Sequence, residues 1–399
     1  MRPIVLVLVT AVAVLVPASR AQDRGATPVH NRTQGVSYPT LAQAVADANP
    51  HDLIKIDAVQ LVEHDILIDK PITILGAGAD QTSIYAHSDG RCLVIETGDQ
   101  LDPVRIVGIK LRAGRSKGAN GGNVRVYDSY AIFERCRIES GQAQFASGGA
   151  MYAAYSLVTL DACVITDNTA SDVAAIYAPD SGLALANCVV TGNRATTGPC
   201  HGFRLGGVNV VSLVNCTIAN NANGADPGDY LVDNDFMTFV TNSIVWGNDA
   251  DVFSPETTFL LLNSSIIEGF DAPGILDVDP LFADAGAGDY RLSPASPAID
   301  AGWNEYLVDP HVQYDFPTYR LADALNQFRF RDDPGTPDTG RQHDPNPTLP
   351  SNTPIVDIGA IEFDGVTPDA CPADLVEPFG TLDFSDVFEF LTFFGAGCP

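Results

Sequence analysis

Between Val104 and Gly269 one pattern of apolar and polar positions comes round seven times. Its reference column is Ile109, Cys136, Cys163, Cys188, Cys216, Ser243 and Ser264, the four cysteines standing 27, 25 and 28 residues apart. Two places on are Leu111, Ile138, Ile165, Val190, Ile218, Val245 and Ile266, aliphatic throughout. Three places back are Ile106, Phe133, Leu160, Leu185, Leu213, Val240 and Leu261, again all apolar. Five places on are Gly114, Gly141, Asn168, Asn193, Asn221, Asn248 and Gly269. Gly and Asn enter the left-handed region at least cost, so this last column predicts a turn with positive φ, or Asn side chains hydrogen-bonded along a stacked ladder. Within each unit the apolar residues of two or three short runs lie two apart, which is strand spacing. Such a repeat is too short for strand-plus-helix pairs. It predicts an all-β right-handed parallel β-helix, its coils stacked about 4.8 Å apart. Seven aliphatics in one column, at roughly 1.5–3 kcal/mol each on burial, would supply much of the cohesion.

The ends of the chain read differently. Arg2, the apolar run Ile4 to Val16, Pro17 and Ser19-Arg20-Ala21 have the order of a secretory signal peptide over residues 1–21. That run is too short for a comfortable membrane span, so the mature chain is expected to be exported without a transmembrane segment. Residues 22–103 would hold an N-terminal cap and the first coils. Tyr38 to Ala46 predicts a short amphipathic helix with Leu41, Ala44, Val45 and Ala48 on one side. Strands are expected at Leu53–Ile56, Ile66–Ile68 and Ile72–Leu75. This start resembles secreted β-helix proteins of the pectin-lyase-like class, in which a helix covers the open end of the first coil. A covered end recruits no second chain, and a monomer is expected.

Residues 104–269 form the repeated coils, and 270–366 are read as the last coils and a C-terminal cap. Asn242 to Asn248, Asp277-Val278-Asp279-Pro280-Leu281-Phe282, Asp289-Tyr290-Arg291-Leu292-Ser293-Pro294, Ser296 to Gly302 and Val356 to Ala360 carry a further resemblance. Over roughly residues 240–363 the chain is similar to the "choice-of-anchor Q" domain of secreted bacterial proteins. That resemblance implies final coils and a cap, and brings no catalytic residues. In the tail, 367–399, Asp374-Leu375, Gly380, Leu382-Asp383-Phe384, Asp386-Val387 and Phe390-Leu391 resemble half a dockerin repeat ending in Gly-Cys. This implies surface anchoring or sorting, with Asp374, Asp383 and Asp386 as calcium ligands. Val376 replaces one oxygen ligand and an extra residue precedes Gly380, both departures from what calcium wants.

Composition narrows the partners. A formal charge of −28, with 22 basic against 50 acidic residues, disfavours nucleic acid and anionic membranes. The cysteines of the reference column read as buried thiols acting as small hydrophobes. Cys371 and Cys398 bracket the tail as a candidate disulfide in an oxidising compartment, and Cys92 and Cys200 have no assignment. No CxxC or Cys/His cluster at zinc spacing is present.

Candidate chemistry lies on two outward faces. Arg105, Lys110, Arg112, Arg115, Lys117, Arg125, Arg135 and Arg137 crowd one stretch opposed only by Asp128 and Glu134. The register places Lys110, Arg112, Arg137 and Glu139 on one outward patch. A polyanionic saccharide would want that patch, or the patch is a solvated, charge-balancing edge. Pectate-lyase-like enzymes use Arg or Lys as base, so Lys110, Arg112, Arg137 and Glu139 are candidate catalytic residues by that resemblance. Tyr152, Tyr177 and Arg204 align as an outward ladder beside His201. With Trp246 they are candidate sugar-binding groups, or they merely stack on one another. The acidic pairs Asp226–Asp235 and Asp249–Asp251 fall in turns and read as solvated or as calcium clips. His-Glu-x-x-His and phosphate loops are missing. The expectation is a secreted, surface-associated β-helix that binds, or is displayed toward, an extracellular polysaccharide or cell-surface component. The alternative is a polysaccharide lyase or glycoside hydrolase. No cofactor is required, and calcium is the metal the pattern admits.

Overall fold

Three side-chain ladders at the corners of a stacked coil decide the architecture. The computed structural model describes residues 27–363 except 88–89, 198–199, 207–208, 222–229, 250, 305–322, 326, 328, 330, 332 and 342–353. The expected leader and the whole tail, with Asp374, Asp383, Asp386, Cys371 and Cys398, lie outside the described residues. Each coil gives one strand to an eleven-stranded, a ten-stranded and an eight-stranded sheet, with a short four-stranded sheet at one turn. Apart from Val29–Asn31 and Val36–Tyr38 at the first edge and one terminal hairpin, the pairing is parallel, coil on coil. The fold is a right-handed parallel β-helix.

Inside, the predicted columns stack: Phe133, Leu160 and Leu185 on one wall, Ile138, Ile165 and Val190 on the next, all fully buried. The helix Leu41–Ala46 covers the first coil with Leu41, Ala44 and Val45 buried. Glu63 accepts from the amides of Leu41 and Ala42 at 2.8 and 2.9 Å, satisfying two orphan donors of its first turn.

Two of the register readings are corrected. Positive φ does not fall on Asn168, Asn193 and Asn221 but one residue earlier, on Asp167, Gly192 and Asn220. A second left-handed column precedes the cysteines, at Arg135, Ala162, Asn187, Asn215 and Asn242, and a third precedes a serine column, at Asp128, Tyr155 and Asp180. Such a corner turns the next amide away from ordinary strand pairing. The residue after it then repairs the loss: its side chain accepts from the equivalent amide of the coil below and donates to the carbonyl two residues back. Asn193 Oδ1 accepts from Asn168 N at 3.2 Å, Ser181 Oγ from Ser156 N at 3.0 Å, and Cys163 Sγ from Cys136 N at 3.4 Å. Ser243 does the same for Cys216 at 3.0 Å, which explains why Ser and Cys share one column.

The last coil is also one residue out of the expected register. Val245 pairs with Ile267 and Val240 with Leu262, so Ser265, not Ser264, continues the column. Leu261 is exposed, and Ile266 points outward beneath the C-terminal segment. Three consecutive leucines, Leu260 to Leu262, make either register equally apolar in sequence.

Candidate functional site

The outward face of the ten-stranded sheet begins with charge and ends under a cover. Lys110 pairs with Arg137 and Arg112 with Glu139 across adjacent coils, as the spacing predicts. Farther along, the same two columns carry Val164, Val189, Thr217 and Ile244, then Thr166, Thr191, Ala219 and Trp246.

Every cation of the patch but Arg137 meets a partner that sequence proximity does not show, because the partner comes from a neighbouring coil or column. Arg137 pairs with Glu139 along its own strand. Arg112 donates to Gln60 at 2.8 Å and lies over the Tyr85 ring at 4.6 Å. Arg105 meets Glu134 at 3.1 Å, Arg115 donates to Gln144 at 2.9 Å, and Arg125 pairs with Glu96. Lys110 reaches Asp80 only at 4.0 Å, the edge of ion-pair range.

Past Arg137 the face passes beneath the segment that follows the coils. Phe282–Asp284 and Asp289–Leu292 form a hairpin joined by the 3-10 turn Ala285–Ala287 and closed by Gly288 at φ 79°. The hairpin overhangs the sheet and leaves an open groove of about 800 Å³. Arg137, Thr166, Thr191, Asn220, Tyr290 and Arg291 are among its lining residues. The Tyr290 hydroxyl is bonded to Thr191 Oγ1 and accepts from Asn220 Nδ2 at 3.0 Å, fixing the overhang to the floor. Asp289 grips Arg291 through two bonds of 2.9 and 2.6 Å, and these bonds hold its carboxyl below the usual range.

Beyond the groove the cover closes. Ile244 and Ile266 are sealed by Leu292, Ala298, Ile299 and Ile358. Trp246 points outward on its strand and packs, partly buried, against this cluster. The cover is clamped by Arg329, fully buried, which donates to Asn187 Oδ1 at 2.9 Å, to Gly359 O at 2.7 Å and to Glu362 at 2.6 Å. Burial pushes the Asp357 carboxyl up to about 6 and Glu362 well above its ordinary value.

The second predicted face lies on the eight-stranded sheet. Met151, Ile176 and Phe203 are buried, and Tyr152, Tyr177 and Arg204 form the expected outward column next to Arg125. The rings of Tyr152 and Tyr177 are 5.6 Å apart but tilted by 44°, so they do not make one flat platform. Arg204 is divided between Asp172 at 2.9 Å and Asp233 at 3.1 Å. The side chain of His201 lies outside the described residues.

The column cysteines Cys136, Cys163, Cys188 and Cys216 are free thiols, as is Cys92. Burial pushes Cys136 and Cys188 up, and Cys92 up to about 12, and all five thiols are closed off from solvent. Among the described residues no group of three His, Cys, Asp or Glu side chains could hold a metal ion. No helix there is long and apolar enough to cross a membrane.

The sequence reading missed Thr191, Asn220, Tyr290 and Arg291. About 70 to 100 residues separate the floor from the overhang, and no spacing in the sequence links the two.

A family model described as "Right handed beta helix region" matches residues 86–266, the repeated coils and their approach. No curated protein matches the chain.

Proposed function

We propose that the protein is an exported, surface-associated β-helix that binds extracellular glycans along the outward face of the ten-stranded sheet. The observation that carries this reading is the open groove of about 800 Å³ between that face and the 282–292 hairpin. Its lining combines hydroxyl, amide and charged groups with the apolar Val164, Val189 and Ile361, the mixture that holds a sugar by its edges and its face. The β-helix fold is consistent with a carbohydrate-related role, and the composition disfavours nucleic acid and anionic lipid. The leader-like start supports export, and the dockerin-like tail supports attachment at the cell surface.

The lyase alternative keeps one supporting observation, that Lys110 meets Asp80 only at 4.0 Å. Arg112 and Arg137 are each committed to neighbours, which favours binding over proton abstraction. Co-sedimentation of the full-length protein with insoluble polysaccharides, with ultraviolet absorbance followed in the supernatant, tests both. Retention without an unsaturated product supports binding, an accumulating product makes the protein a lyase, and failure to sediment with any polysaccharide refutes the reading.

A further inference from the structure

The geometry points to a neutral, polyhydroxylated saccharide as the ligand of the groove, in place of the polyanion that a basic patch would attract. The inference rests on the glycan-binding reading above and specifies its substrate class.

The two guanidinium groups that line the groove are already matched. Arg137 is paired with Glu139, and Arg291 is held by both oxygens of Asp289. A uronate or sulfate could claim either one only by displacing a carboxylate tethered to the same strand. That displaced carboxylate would remain beside the incoming anion and repel it. Asp167 and Asp289 lie in the same lining as Arg137 and Arg291, so the groove offers no excess of positive charge. The formal charge of −28 on the chain adds a repulsive field along the approach.

What the groove does offer is neutral hydrogen-bonding capacity. Thr191, Tyr290 and Asn220 form one connected set, and Thr166 Oγ1 donates to Asp167 at 3.1 Å. Thr166 and Thr191 stand on adjacent coils in strict register, so this floor presents a hydroxyl at a step of about 4.8 Å. Hydroxyls both donate and accept, and can pair with sugar hydroxyls in either sense. A ring lying against the partly buried Val164, at the margin of the cluster in which Tyr290 covers Val189, would turn its equatorial hydroxyls toward this set.

The test is calorimetric titration of the full-length protein with neutral hexasaccharides of glucose, xylose and mannose, and separately with hexagalacturonate, at low and high sodium chloride. Binding of at least one neutral oligosaccharide is expected. Its affinity should change less than about twofold with salt, since no counterions are released. Tyr290→Phe and Thr191→Val should each weaken it about fivefold, the effect of losing one hydrogen bond, and should lower the melting temperature slightly, because the same bond holds the hairpin to the floor. Hexagalacturonate binding more tightly than every neutral sugar, with affinity falling steeply in salt, overturns the neutral assignment and leaves glycan binding standing. Neutral binding untouched by both variants overturns the groove as its location. Absence of binding to either class removes the glycan reading itself.

Discussion

Asn168 Nδ2 donates to Asn193 Oδ1 at 2.9 Å, and the same oxygen accepts the backbone amide of Asn168 at 3.2 Å. Asn193 in turn donates to Ile165 O, Thr191 O and Asn221 Oδ1 at 2.9, 3.1 and 2.9 Å. Both side chains are fully buried. The ladder runs on to Asn248 and back to Asn123, whose side chain fills in for the glycine at Gly114 by accepting its amide at 2.8 Å.

Replacing Asn193 by Val should therefore destabilise the solenoid through unpaired buried donors and acceptors, by about 1–3 kcal/mol for each group left unsatisfied. Gly192→Ala should cost only about 1–2 kcal/mol, from the left-handed backbone at φ 64°. Chemical denaturation of both variants checks the order. Equal losses would mean that the turn geometry, not the amide ladder, carries the stability.

Cys188→Ser should be well tolerated, because Ser243 already fills the equivalent place and makes the same bonds, accepting from Cys216 N at 3.0 Å and donating to Leu213 O at 3.4 Å. Cys188→Val, which cannot donate to Leu160 O or Ala186 O, should lower the melting temperature more. In the native state a thiol reagent should leave Cys92, Cys136, Cys163, Cys188 and Cys216 unmodified, since all five are buried. Rapid labelling of any of them would contradict the packing.

Arg329→Met should loosen the C-terminal cover without unfolding the coils. The guanidinium joins the cover, at Glu362 and Gly359, to the solenoid at Asn187. Removing one partner of a buried ion pair costs about 3–5 kcal/mol, because Glu362 would be left without its countercharge. Limited proteolysis with the far-ultraviolet circular dichroism preserved is the expected signature. Loss of both together would show that the coils cannot stand without the cover.

The same cover should respond to pH. Burial raises Asp357 to about 6 and also raises Glu362 and Asp323, so these carboxyls take up protons more readily folded than unfolded. The contribution of Asp357 is then full below the ordinary carboxylate range and is lost as pH rises through about 6, and those of Glu362 and Asp323 are lost as pH rises through their own raised values. Asp52 acts in the opposite sense: its bond from Asn31 lowers it, and its contribution is lost in stronger acid as it protonates. Amide exchange at residues 355–363 should be slower near pH 5.5 than at pH 8. Exchange that is slower at pH 8, after correction for intrinsic rates, would contradict this sign.

The sequence alone determined the solenoid. A two-residue alternation within a unit and conserved residue type between units leave only stacked parallel strands as the way to bury every apolar column at once. Phe133, Leu160 and Leu185 could be placed inward, and Lys110 opposite Arg137, from spacing alone. What it could not supply was any relation that crosses between coils outside the column register, or between the coils and the segment after them. A left-handed residue and its ladder partner are neighbours in sequence, so composition assigned the positive φ to the Asn column when it belongs to Asp167, Gly192 and Asn220. The state of Arg112, Arg125 and Arg115 was decided by Gln60, Glu96 and Gln144, brought alongside only by stacking. The groove exists only because Tyr290 docks on Thr191 and Asn220, far back along the chain. Periodicity records which face of a strand is buried, because burial selects residue type at every turn; it carries no record of what a later, non-repeating segment lays over the other face.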